Sequence, residues 1–424
     1  MEVGFTFQTL VIVFGVAFLA PFLLGLAPGL RLPAVVLEIL LGIAIGPSGL
    51  GWVTMDPTLE VLSVAGVAFL FFLAGGEIEL DRIPREILRV ALLGFAISVG
   101  LAFAAAFGLA AGGFLRTPFV VGILLVACGL GVVVPVLKDS GQLGKPFGEF
   151  VITGAALREF GAVLLLAIFF ATGESTAVQR LGLLALFLAL CVGVALIVQR
   201  LGRIRRFVEV LERLADTTAQ IRIRGALLLL LVFAALAERV NLEIILGTFF
   251  AGMLVMLSDR TAVTPHPQFR VKLEAVGFGV FIPVFFVTSG IQFDLGALLA
   301  SPQALALAPI FLILLLAIHG LPALVYLPML GGRGTAAAGL LQASSLSFLV
   351  AGSQIALELG VIDAATASAL VTGGLLSSVI YPLVALTVLS GATGLVRPRT
   401  KVTVRPRRTF AAITGATPPP PAGS

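Results

Sequence analysis

LEILLG at Leu37–Gly42 returns as LEIILG at Leu242–Gly247. A second echo follows each copy, FFLAGGEIELD at Phe71–Asp81 and FFVTSGIQFD at Phe285–Asp294, alignable with one deletion. The copies lie in apolar stretches. Working outward from them in runs of about 20 apolar residues, the length that crosses a hydrocarbon core, the chain divides into thirteen spans: 8–29, 33–50, 59–76, 88–112, 118–137, 149–171, 181–199, 223–238, 242–258, 273–293, 304–329, 335–357 and 365–390. The two LE motifs are seven spans apart. An odd number of crossings turns the second copy upside down. The expected architecture is an all-α polytopic membrane protein built as an inverted duplication.

The spans divide most simply into a first six-span repeat at 1–171, a linker span with a cytoplasmic amphipathic helix at 172–222, a second six-span repeat at 223–390, and a disordered tail at 391–424. Composition requires lipid as the solvent. A chain of 424 residues that is 59% hydrophobic and 12% charged cannot hide its apolar surface in a water-soluble fold.

Charge tests the span count independently. With the N-terminus outside, twenty-three of the twenty-seven Lys and Arg fall on inner connections; only Arg116, Arg180 and Arg239 fall outside, and Arg158 lies within a span. That asymmetry alternates loop by loop, as inner-loop bias demands. It predicts N-terminus out, C-terminus in the cytoplasm, in a bacterial inner membrane. The stretch before Arg31 holds no Lys or Arg, so it reads as a retained span and not as a secretory signal.

Other readings of the same residues are weaker. The net charge of +5 sits on loop edges, where it sets topology and meets anionic lipid, so no nucleic-acid partner is expected. Arg205–Arg224 mixes Arg and Glu with Phe207, Leu211 and Leu214 at helical spacing, which suggests a surface helix joining the repeats. The tail is basic, then proline-rich, and too short for a regulatory nucleotide-binding domain. Cys128 and Cys191 lie inside spans and suggest no disulfide framework. Two histidines, one of them loop residue His266, supply no metal site. The glycine patterns sit in apolar spans, so neither a cofactor nor an enzymatic activity is expected.

Chemistry must then come from polar groups that lipid makes expensive, at least about 2.5–3.5 kcal/mol each on insertion scales. Span 6 carries two in ITGAALREFGAVLLLAIFF, Arg158 and Glu159. At a rise of about 1.5 Å per residue, Glu159 lies about 15 Å in from the inner surface, halfway through a core of about 30 Å. His319, in LLLAIHGLPALV, has comparable lengths of span 11 on either side.

Five stretches in order carry a resemblance: PAVVLEILLGIAIGPSGLG in span 2, FLFFLAGGEIELD in span 3, GVVVPVLKDSG ending span 5, FFVTSGIQFDL in span 10 and GLLQASSLSFLVAGSQIALELGVI in span 12. Together they resemble the membrane domain of the monovalent cation:proton antiporters, the Kef-like second family, with the sodium/hydrogen exchanger fold. The resemblance implies a homodimer in the bilayer whose protomers pair a mobile core of spans 4–6 and 11–13 with a scaffold containing spans 1–3 and 8–10. It also implies that spans 5 and 12 are broken and cross beside the acidic position of span 6. The breaks are expected near Cys128, Gly129, Leu130 and Gly131, and near Ser344, Ser345 and Ser347. The same glycines and serines also suit close helix packing.

The implied activity is exchange of Na+ or K+ for protons by alternating access; the alternatives are a Kef-like potassium efflux pathway or a non-transporting membrane partner or sensor. Relatives commonly carry Asp-Asp, Asn-Asp or Gln-Asp where this chain has Arg158-Glu159, and Lys or Arg where it has His319. Two roles are open to Glu159: an acid that holds a proton and yields it to a cation, since desolvation favours its neutral form, or a fixed partner for Arg158. Arg158 reads as charge balance, and His319 as a packing residue or a titrating one. The candidate proton- and ion-binding set is Glu159, Arg158, His319, Ser344, Ser345, Cys128 and Gly129, with no metal site beyond a monovalent cation at Glu159.

Overall fold

The computed structural model describes residues 7–26, 33–77, 85–170, 177–202, 204, 206, 209–210, 213–214, 217–240, 242–261 and 268–390. The tail, His266 and much of the expected surface helix lie outside them. Among the described residues every regular element is helical. Lipid demands this, because each backbone N–H and C=O must find its partner within its own segment. Seven helical stretches are long and apolar enough to cross a membrane; Ala34–Ile45, Pro118–Val134, Gly182–Val198 and Ile244–Asp259 are shorter apolar ones.

In chain order the helices are α1 (Phe7–Leu26), α2 (Ala34–Ile45), α3 (Pro57–Gly76), α4 (Arg85–Ala111), α5 (Pro118–Val126), α6 (Leu130–Asp139), α7 (Pro146–Phe170), α8 (Ala177–Leu201), α9 (Ile221–Arg239), α10 (Ile244–Thr261), α11 (Phe269–Val276), α12 (Ile282–Ile291), α13 (Leu295–Ala300), α14 (Pro302–Gly320), α15 (Leu327–Gln342), α16 (Ser347–Glu358) and α17 (Ala364–Ser390). Span 5 is split into α5 and α6, and span 12 into the end of α15 and α16. Both breaks fall where the resemblance places them. Spans 11 and 12 are joined within α15 at Gly331, whose φ of 69° kinks the helix.

Two spans differ from their sequence outline. Span 2 was expected to reach residue 50, but α2 stops at Ile45. Gly46 turns to extended backbone and Pro47 follows with no N–H to continue the ladder. Ser48 then stitches this turn to the end of span 10, its Oγ donating to Phe293 O (2.7 Å) and accepting from Leu295 N (3.2 Å). Within span 10, Gly277–Phe281 widens into a π-helical turn just before Pro283. A proline that removes a ladder bond is a usual cause of such a disturbance.

The repeated motifs determine how the helices meet. LEILLG on α2 packs against FFVTSG on α12, and α10, which begins within LEIILG, packs against α3, which ends in FFLAGG. The helix of each first motif thus meets the helix of the other copy's second motif. Glycines make the contacts possible: a Cβ on Gly42, Gly290, Gly75 or Gly252 would collide with the carbonyl oxygen of Val287, Ile39, Phe249 or Phe72 respectively. Small residues let backbones approach closely in lipid, where no hydrophobic drive pulls helices together.

Packing otherwise falls into two groups. One joins α1, α2, α3, α9, α10 and α12; the other joins α4, α5, α7, α14, α15, α16 and α17. Aromatic rings line the seam between them, with Phe160 of α7 stacked on Phe249 of α10 (5.7 Å) and Phe71 of α3 edge-on to Phe348 of α16 (5.8 Å).

Candidate functional site

The two breaks meet. Ala127 takes extended backbone (ψ 144°), α5 ends at Val126 and α6 begins at Leu130. In an unbroken helix Gly129 N–H would bond Leu125 O; here it donates instead to Ser344 O (2.9 Å), in the break of span 12. A side chain at Gly129 would press on Ser344 O and Leu346 N. Ser345 is tied from α17, its N–H donating to Ser377 Oγ at 3.2 Å.

A broken helix leaves orphaned groups on each side of its gap. On the α6 side, Leu130 N–H is among the first donors of a half-helix whose positive end faces the gap. Glu159 Oε2 accepts from it at 3.0 Å. On the α5 side, the freed Leu125 carbonyl is met by His319 Nε2 at 3.1 Å. A carbonyl only accepts, so Nε2 carries the hydrogen, and Nδ1 has no partner. An acid thus meets the donor end of the gap and an imidazole its acceptor end.

Arg158 faces elsewhere. Its Nε donates to Ser98 Oγ (3.0 Å), and its Nη1 donates to Gln342 Oε1 (2.7 Å) and Gly154 O (3.3 Å). Nη2 is buried without a partner. Among the described residues the guanidinium makes no ion pair with any carboxylate, Glu159 included. Ser98 in turn donates to Ile318 O at 2.8 Å, next to His319. The fixed Arg158–Glu159 pair is therefore not what the fold builds. All three ionisable groups are nonetheless sealed off, with exposures of 0% for Arg158, 2% for Glu159 and 0% for His319.

The fold brings the seven candidate residues around one crossing. Glu159 reaches the start of α6, Gly129 pairs with Ser344, Cys128 is fully buried within the break, and the hydroxyls of Ser344 and Ser345 are buried with no partner. Arg158 and His319 flank it. Sequence reasoning missed Ser98, Gln342, Tyr326 and Ser377. A glutamine in an apolar span is costly unless bonded, so Gln342 carried a readable signal. Lone serines carry little, because each can bond its own helix.

Chemically, the crossing offers one carboxylate beside half-helix ends and unpartnered hydroxyl oxygens, in a site without solvent exposure. Such groups can replace part of a small cation's hydration shell.

Comparisons with known proteins bear on the fold and the family. The solved sodium proton antiporter MjNhaP1 from Methanocaldococcus jannaschii at pH 8 superimposes with a TM-score of 0.56 over 92% of this chain and 97% of that one, at 14% identity, which establishes a shared fold. YjbQ of Bacillus subtilis (strain 168), by its name a candidate Na(+)/H(+) antiporter, is 32% identical over 391 residues, 88% of this chain. This chain spans 62% of that relative's length. The Na(+)/H(+) antiporter of Enterococcus hirae is 31% identical over 271 residues, covering 62% of this chain and 67% of its own length. The family model described as "Sodium/hydrogen exchanger, transmembrane" matches residues 14–390. With its broken spans crossing beside a buried acid and that match over nearly all its membrane part, the chain belongs to the transmembrane sodium/hydrogen exchanger family.

Proposed function

We propose that this protein is a secondary active transporter that exchanges a monovalent cation, Na+ or K+, for protons by alternating access, with Glu159 holding the two ions in turn. The observation that carries the reading is the placing of Glu159. It is a carboxylate 2% exposed, bonded to the first N–H of α6 and free of Arg158. A buried acid at the positive end of a half-helix can exist as a carboxylate, and desolvation makes a bound proton or cation preferable to bare charge. The two ions thus compete for one group. Ser344, Ser345 and the backbone around Cys128 and Gly129 supply the oxygens a dehydrated cation needs, while Arg158 and His319 border the site.

The names of the relatives, sodium/proton antiporters, support Na+ and protons as substrates. We extend the reading to a homodimer in the bacterial inner membrane, N-terminus outside and C-terminus cytoplasmic, with two six-span repeats at 1–171 and 223–390 that rock one helix group against the other.

Purified protein in proteoliposomes with a trapped pH dye tests the activity. External Na+ or K+ should drive proton movement well above that of protein-free vesicles. Equal signals for Na+, K+, Li+ and choline would contradict the proposal.

A further inference from the structure

We propose that Gln342 is a positioning residue for the exchange: it holds the Arg158 guanidinium away from Glu159, so that the carboxylate stays free for its ion. This rests on Glu159 being the exchanging group.

Arg158 and Glu159 are neighbours on α7, and both are buried. At the effective dielectric constant of a protein site, their attraction is about four times as strong as in bulk water. Neighbours on a helix point about 100° apart, but the long arginine stem can bend across that angle. Left alone, the two side chains would pair. A paired carboxylate is a poor cation site, because the guanidinium already occupies its lone pairs and its charge.

The observed guanidinium is turned away by three neutral acceptors. Gly154 O belongs to its own helix, one turn back, and offers a long contact of 3.3 Å. Ser98 Oγ accepts at 3.0 Å. Gln342 Oε1, at 2.7 Å, is the shortest of the three.

Gln342 suits this task because an amide has an accepting and a donating end. Its accepting end takes Arg158. Its donating end is anchored to the same helix, with Nε2 donating to Val151 O at 3.2 Å and standing 3.5 Å from Tyr326 Oη. Gln342 is fully buried and is the last residue of α15, immediately before the break that carries Ser344 and Ser345. The arginine is thus secured to the broken span itself. Its Nη2 is buried without a partner, so a guanidinium released from Gln342 would gain an acceptor by swinging to Glu159.

Cation-driven proton flux in proteoliposomes of the full chain tests the clamp, with Gln342→Ala and, should that variant fold poorly, Gln342→Asn, whose amide is one methylene too short. Either should raise the KM for the cation about tenfold while kcat changes by less than about twofold, the pattern of lost ion affinity. Adding Arg158→Met to Gln342→Ala removes the intruding charge and should bring KM back down. A double variant as impaired as Gln342→Ala alone, the result expected of a merely structural glutamine, would overturn the proposal.

A second readout does not depend on transport. With 13C-labelled glutamate, the infrared difference between a protein and its Glu159→Gln variant isolates the Glu159 carboxyl bands. In the Gln342→Ala background these should move to the position of a guanidinium-paired carboxylate; unmoved bands would overturn the clamp. Wild-type protein that moves no protons with any cation would defeat the exchange reading, while the infrared comparison would still decide the clamp.

Discussion

His319 shows how far a residue can be read in isolation. Its type and depth were legible from the sequence, but its task depends on the break in span 5, which frees the Leu125 carbonyl that Nε2 meets at 3.1 Å. A buried carbonyl left without a donor costs about 1–3 kcal/mol. His319→Leu should therefore lower stability by about that amount, read as a fall of several degrees in the unfolding temperature in detergent, and His319→Gln, which can still donate, should recover most of it. Equal stability for Leu and Gln at this position would show that the bond does not matter. Arg158 was legible in the same partial way. The sequence shows a buried cation beside an acid, but its direction is decided by Ser98 and Gln342, which lie 60 and 184 residues away along the chain. Adjacency in sequence left a pair open as one of two roles, and in the fold the guanidinium bonds Ser98 and Gln342 instead.

At the scale of elements, hydropathy located the spans well because a lipid-crossing helix has a length set by the bilayer. Helix ends within those spans were less legible. Hydropathy does not distinguish α2 from the apolar turn that follows it, although Gly46-Pro47 stops the helix at Ile45. The breaks of spans 5 and 12 came from the resemblance, since Gly and Ser serve close packing as readily as unwinding. The paired motifs yield a prediction of their own. A Cβ at Gly252 would strike the backbone oxygen of Phe72, whereas one at Gly100 on α4 would meet nothing within 4 Å. Gly252→Val should abolish or severely reduce the yield of folded protein, because backbone cannot yield as a side-chain tip can. Gly100→Ala should be tolerated and slightly stabilising, by up to about 1 kcal/mol of helix propensity. Detergent-extracted yield and unfolding temperature report both, and a well-folded Gly252→Val would show that the close backbone approach of α3 and α10 is not required for folding.

Across the whole molecule, the duplication explains why a short repeat of six residues carried so much information. LEILLG and LEIILG each belong to a segment whose helix packs against the helix that carries the second motif of the opposite copy. Two such contacts build one helix group, and the other group brings the breaks of spans 5 and 12 together beside α7. There the acid of span 6 receives the first N–H of α6. The fold's logic converges on that one carboxylate, and so does its most direct test. Proteoliposomes containing wild-type protein or Glu159→Gln, matched for amount and for a single symmetric size-exclusion peak, are given a pulse of Na+ or K+ while internal pH is followed. The wild-type protein should drive proton movement that Glu159→Gln abolishes, although the variant folds and reconstitutes equally well. Undiminished cation-driven proton movement in Glu159→Gln would contradict the account.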